Sequence, residues 1–258
     1  MTDIPASTTS AGPERERYSD ILSRLTGAQK GRSRGAPAYS IYVNRPVGRY
    51  IAAAAHLAGL TPNAVSLISA TFTFAAIVII ALVPPTLWTG LVVWLLLAIG
   101  YAFDSADGQV ARLRGGGSPA GEWLDHVLDA LKTSSLHLAV LITAFLHFPL
   151  SSDAWLLVPI GFTVVAAVSF FAMILNDQLK AQYTAPGAKP ARSSTPLRSL
   201  LGLPTDYGIL CLSFVLLGAP LVFFGVYTVL FLANAAFLSL ALVKWFRDMN
   251  ALAPGRQS

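Results

Sequence analysis

The chain has 258 residues, of which 54% are hydrophobic and only 12% charged. Soluble globular proteins carry about a quarter charged residues, so this composition excludes an ordinary soluble domain. The apolar content excludes disorder throughout, and a single cysteine, Cys211, excludes a disulfide scaffold. A net charge of +5 does not by itself indicate nucleic acid, because in a membrane chain the distribution of charge matters more than its sum.

Residues 1–35 are rich in Ser, Thr, Pro, Gly and Arg and lack the apolar run of a signal peptide. They are expected to form a disordered cytoplasmic tail ahead of a membrane domain over 36–250, with a short second tail over 251–258. Segment 38–60 reads as an amphipathic helix lying on the cytoplasmic leaflet. Arg45 and Arg49 face lipid headgroups there, and Ile41, Val47 and Ile51 enter the acyl boundary.

Six apolar stretches follow, near 62–83, 87–112, 119–147, 154–181, 206–222 and 224–246. Each approaches or exceeds the length needed to cross roughly 30 Å of hydrocarbon as a helix. The fifth and sixth are divided only by Gly218, Pro220 and Gly225, the weakest boundary in the series. Continuous rather than alternating runs argue for helices and against an outer-membrane barrel. The expected fold is therefore an all-α polytopic membrane bundle of six transmembrane helices plus the interfacial helix. Cations concentrate before the first span, between spans two and three, between four and five, and after six. Under the positive-inside rule both termini and these loops are cytoplasmic, which demands an even number of spans.

Five of the 13 acidic residues fall between Asp104 and Asp129. A carboxylate at the edge of a span is costly unless paired or bound to a metal. Asp104 and Asp107 are three apart, Asp125 and Asp129 four apart, so each pair shares a helix face. One helix runs toward the cytoplasm and the next returns from it, which brings the two pairs to similar depth. Four carboxylates total −4, the charge that two Mg²⁺ or Mn²⁺ ions neutralise, and an oxygen-only donor set suits such hard cations. Two adjacent ions suit phosphoryl transfer. Gly108 leaves room for a ligand at the backbone, Arg112 is suited to a phosphate, and Gly115-Gly116-Gly117 makes the turn into Ser118-Pro119.

Together these residues read Asp104-x2-Asp107-Gly108-x2-Ala111-Arg112-x8-Gly121-x3-Asp125-x3-Asp129. This 26-residue pattern resembles the complete signature of the CDP-alcohol phosphotransferase (phosphatidyltransferase) family, with all eight fixed positions present. The six-span layout extends the resemblance over about residues 38–246. The resemblance implies that Asp104, Asp107, Asp125 and Asp129 bind two divalent ions and that Asp129 doubles as general base. It assigns a CDP site to Asp104, Gly108, Ala111, Arg112, Gly121 and Asp125, with Asn63 in Thr61-Pro62-Asn63 close by.

The implied reaction moves a phosphatidyl group from a CDP-activated lipid, CDP-diacylglycerol by expectation, to an alcohol hydroxyl with release of CMP, at a multi-pass protein of the cell membrane. An aminoalcohol-type transfer from a CDP-alcohol to diacylglycerol is the alternative, since Glu122 and His126 resemble that branch. An ion-coupled transporter is the rival from another class, but no internal repeat is visible and the carboxylates sit at one end of the spans. The acceptor pocket is expected from Asp177, Lys180, Arg192, Arg198 and Asp206. Asp177 and Asp206 stand where a phosphorylated acceptor needs positive charge, which tilts the expectation toward a neutral or cationic alcohol. The expected partners are the two substrates and membrane lipids, not nucleic acid. A homodimer stays open, through the apolar faces of spans three and four.

Overall fold

The structure is a computed structural model that describes residues 17–29, 38–183 and 205–252. It is an all-α membrane helix bundle, with no strand among the described residues. Helix α1 covers Tyr18–Gln29, and a π-helical turn at Ser40–Asn44 runs into α2, Arg45–Leu57. The long helices are α3, Pro62–Leu82; α4, Leu87–Leu113; and α5, Pro119–His147. A 3-10 turn at Asp153–Leu156 leads into α6, Leu157–Tyr183. The short α7, Tyr207–Ser213, continues as a 3-10 turn to Gly218, and α8 covers Pro220–Leu252.

Five helical stretches are long and apolar enough to cross a membrane: 62–82, 87–113, 119–147, 153–183 and 220–252. Their starts follow local chemistry. Thr61 caps α3 by accepting from Ala64 N, Thr86 caps α4 and Ser118 caps α5, while Pro62 and Pro119 occupy first-turn positions. The expected fifth span, 206–222, is realised only as the apolar stretch Tyr207–Gly218, too short on its own to count with the other five. The break falls at Ala219 rather than 223. A Cβ on Gly218 would run into the backbone of Thr86 and Leu87, so the chain packs tightly there, and Pro220 restarts the helix. Gly225, by contrast, meets nothing within 4 Å and stays inside α8.

Helix α3 packs on α4 and α5, α4 also on α2, α5 on α6, and α6 on α8. Helices α3 and α4 pack tightly at Gly100, where a Cβ would collide with Thr73 Oγ1 and where Ser69 Oγ donates to Gly100 O at 2.8 Å. One core joins α3, α4, α5, α7 and α8 around Leu97, Val140, Phe214, Phe223 and Tyr227. Within it His137 stacks on Phe162 and lies 2.6 Å from the Tyr227 hydroxyl.

The expected disordered tail needs correction over Tyr18–Gln29. Ile21 and Leu25, one turn apart on α1, are buried against Ala52, Ala53 and Ala55 of α2 and Ala106 and Val110 of α4. Arg49, expected at lipid headgroups, donates to Thr26 Oγ1 at 2.9 Å and lies over the Tyr50 ring. Tyr42, Val47 and Tyr50 remain exposed along the interfacial segment. The rest of the two expected tails, 1–16, 30–35 and 253–258, lies outside the described residues.

Candidate active site

The site forms where α4 ends and α5 begins. Gly115 and Gly116 take φ of +96° and +135°, a left-handed turn that other residues adopt with strain. Ser118 Oγ then accepts from Gly121 N at 3.1 Å and starts α5. This hairpin faces the carboxylates of the two helices toward each other. Asp104, Asp107 and Asp125 each offer an oxygen, all within 4.8 Å of one another. Donors around one ion at about 2.1 Å lie roughly 3–4 Å apart, so a small contraction fits this oxygen-only triad to Mg²⁺ or Mn²⁺. Asp107 is held in place from α3, where Ser66 Oγ donates to its Oδ2 at 2.6 Å.

Asp129 stands outside that triad. Its Oδ1 accepts from Lys132 Nζ at 3.1 Å, and the same ammonium donates to Asp104 Oδ1 at 2.6 Å. The expected set of four aspartates is thus a triad plus a lysine-bridged pair, joined through Asp104.

Two cavities open on the cluster. The larger, about 800 Å³, is lined by Thr61, Pro62 and Asn63 from the start of α3 and Asp107, Gly108, Ala111 and Arg114 from the end of α4. The turn and the start of α5 complete it, with Gly121, Glu122 and Asp125. Of the expected CDP residues, Asn63, Gly108, Ala111, Gly121 and Asp125 line it. Arg112 folds back, its Nη1 being 3.6 Å from the position a Gly108 Cβ would take. Two helix N-termini border this space, and the positive ends of their dipoles favour an anion.

The smaller cavity, about 340 Å³, lies about one helical turn further into the bundle. Ser69, Thr73, Tyr101, Asp104, Asp129, Lys132, Thr133 and Tyr207 line it, with apolar Phe170 and Met173 on α6. His126 sits between Glu122 and Asp125, 3.9 Å from each, edge-on to Phe170.

Among the described residues, the expected acceptor residues Asp177, Lys180 and Asp206 line neither cavity. Asp206 is only 1% exposed and caps α7, accepting from Gly208 N at 3.0 Å and from Tyr39 N at 2.9 Å. Its charge is consumed by backbone amides, so its assignment to an acceptor pocket is corrected. Asp177 is exposed on α6 and lines neither cavity. Lys180 pairs with Asp248 of α8 at 3.7 Å. Arg192 and Arg198 lie outside the described residues.

Ser66, Lys132 and Arg114 were not anticipated from the sequence. Lys132 lies three residues after Asp129 and seven after Asp125, on the face already singled out, so the same spacing rule points to it. Arg114 donates to Gly59 O at 2.8 Å, fastening the α2–α3 turn beside the larger cavity.

The sequence profile of the CDP-alcohol phosphatidyltransferase family matches residues 59–243. The chain belongs to that family. A phosphatidylinositol phosphate synthase of Corynebacterium glutamicum is 32% identical to this chain over 151 residues. That match covers 56% of this chain and 63% of the relative's length. Two crystal structures of Mycobacterium tuberculosis phosphatidylinositol phosphate synthase are also similar. One, in complex with manganese and citrate, has 19% identity and TM-score 0.49 and covers 79% of this chain and 89% of that one. The other, with CDP-DAG bound, has 21% identity and TM-score 0.46 and covers 79% and 94%.

Proposed function

We propose that this family member is a phosphatidyltransferase that moves a phosphatidyl group from CDP-diacylglycerol to an alcohol hydroxyl and releases CMP. The observation that carries the reading is the Asp104–Asp107–Asp125 triad set between two cavities. One suits an anionic nucleotide and the other a hydroxylated acceptor.

The larger cavity takes the cytidine diphosphate. Gly108, Ala111 and Gly121 give its floor, because small side chains let a diphosphate approach the helix backbone. The helix N-termini at Thr61–Asn63 and Ser118–Gly121 present the positive ends of their dipoles to it, and Arg112 adds a positive charge. Asp104, Asp107 and Asp125 hold the divalent ion, with Asp129 adjacent as a ligand to a second. When bound, such ions neutralise the diphosphate charge and favour the departure of CMP. Asp129 faces the smaller cavity and is the general base that takes the proton of the acceptor hydroxyl, which then attacks the lipid-side phosphorus. Ser69, Thr73 and Thr133 orient the acceptor there by hydrogen bonds.

A phosphorylated inositol is the acceptor that this reading favours. The tilt toward neutral alcohols rested on Asp177 and Asp206; the Asp206 carboxylate is spent on backbone amides, and Asp177 lines neither cavity. Lys180 and Lys244 meet at Asp248 where α6 and α8 adjoin, and the relative from Corynebacterium glutamicum is a phosphatidylinositol phosphate synthase. The positive-inside pattern supports cytoplasmic termini and a cytoplasmic site in the cell membrane, with Tyr207–Gly218 contributing to a sixth crossing. The apolar outer faces of α5 and α6 would pair two copies if the protein is a dimer.

The deciding experiment uses purified protein in lipid nanodiscs with CDP-diacylglycerol and Mg²⁺, one acceptor alcohol per tube, and CMP release as readout. Inositol phosphate is expected to be the fastest acceptor. Release with an amino alcohol alone would redirect the acceptor assignment, and no release with any alcohol would overturn the transferase reading.

A further inference from the structure

Lys132 is a charged residue in the middle of an apolar helix, only 7% exposed, and the reaction outlined above gives it no part. An ammonium in that position is costly unless fully paired. It contacts three helices: Asp104 of α4 at 2.6 Å, Asp129 of α5 at 3.1 Å and Ser69 of α3 at 3.5 Å. Ser69 in turn donates to Gly100 O, where α3 and α4 leave no room for a Cβ. Asp104 is the shared member, belonging both to the triad and to the lysine pair.

We infer that Lys132 is a resident counter-ion of the aspartate cluster. It holds Asp104 and Asp129 together in the metal-free chain and competes with the incoming divalent ion for Asp104. This rests on the metal site proposed above. The reasoning is electrostatic. Four carboxylates facing one another from α4 and α5 repel, and one buried ammonium between two of them offsets part of that repulsion before any ion binds. The same positive charge then opposes the ion's entry. Lys132 is thus a positioning residue: it keeps Asp129 turned toward the second cavity and sets how tightly the triad binds metal.

The test uses full-length protein in nanodiscs, with Mn²⁺ affinity read by electron paramagnetic resonance and the melting temperature read in excess chelator. Lys132→Met is expected to bind Mn²⁺ at least about tenfold more tightly, to melt lower without metal, and to gain more stability from Mn²⁺ than the unmodified chain. Lys132→Arg should stay close to the unmodified chain on all three. A double variant, Lys132→Met with Asp104→Asn, removes one charge of each sign and should recover much of the lost metal-free melting temperature. Unchanged or weaker Mn²⁺ binding in a folded Lys132→Met protein overturns the inference. If that variant cannot be purified, the double variant decides: recovery of a folded protein supports the counter-ion role, and failure to recover one overturns it. Absence of Mn²⁺ binding in the unmodified chain would instead overturn the metal site, while the metal-free melting comparison still decides the role of Lys132.

Discussion

Ser66 on α3 donates a 2.6 Å hydrogen bond to Asp107 on α4, and both side chains are buried. The bond aims one carboxylate of the triad from a helix that supplies no carboxylate to it. Ser66→Ala leaves that carboxylate short of a donor, at a cost of about 1–3 kcal/mol. The variant should melt lower and release CMP several-fold more slowly. Equal melting and equal turnover would show that Asp107 needs no such support.

Chelation is expected to abolish turnover, with Mg²⁺ or Mn²⁺ restoring it. Ca²⁺ should restore it poorly, because it prefers longer bonds and looser oxygen coordination than the triad offers. CMP release measured in excess chelator and after each addition checks this. Full activity in chelator would remove the metal from the mechanism.

Asp129→Asn keeps the side chain's shape and removes its basicity. Turnover should fall at least about 10²-fold, the usual cost of losing a general base. Binding of CDP-diacylglycerol should survive better than in Asp104→Asn or Asp107→Asn, whose carboxylates belong to the triad. Near-normal turnover by Asp129→Asn would send the search for the base elsewhere.

The carboxylate pairs were legible because helical spacing dictates which residues share a face, and the signature places both pairs beside one turn. Lys132 obeys the same arithmetic, yet a lone cation within a span carries no motif to attract notice. Asp206 was misread for a different reason. As the residue before Tyr207-Gly208 it is well placed to cap a helix, but the amides that share its carboxylate belong to Tyr39 and Ser40, a pairing no local spacing reveals. Helix α1 was hidden by its neighbours: the Ser-, Pro- and Gly-rich flanks dominate the average, while its apolar contact with α2 and α4 rests on Ile21 and Leu25.

From the capping role follows a prediction opposite to a substrate role. Asp206→Ala removes the α7 cap and the acceptor for Tyr39 N, costing about 2–3 kcal/mol for the two together. Melting should fall, while the KM for the acceptor alcohol should stay unchanged in the protein that remains folded. A changed acceptor preference with unchanged melting would return Asp206 to the acceptor pocket.

The bond between Tyr39 N and Asp206 joins residues 167 positions apart. During synthesis at about 5–20 residues per second, the amide emerges on the order of 10–30 s before its carboxylate exists. A part-buried amide is best satisfied by water until its partner arrives, so we expect the segment around Tyr39 to rest at the wet membrane surface until most of the bundle has been inserted. Its docking is therefore a late event in assembly. A ribosome stalled before residue 206 should leave Tyr39 and its neighbours open to proteases that the finished protein resists.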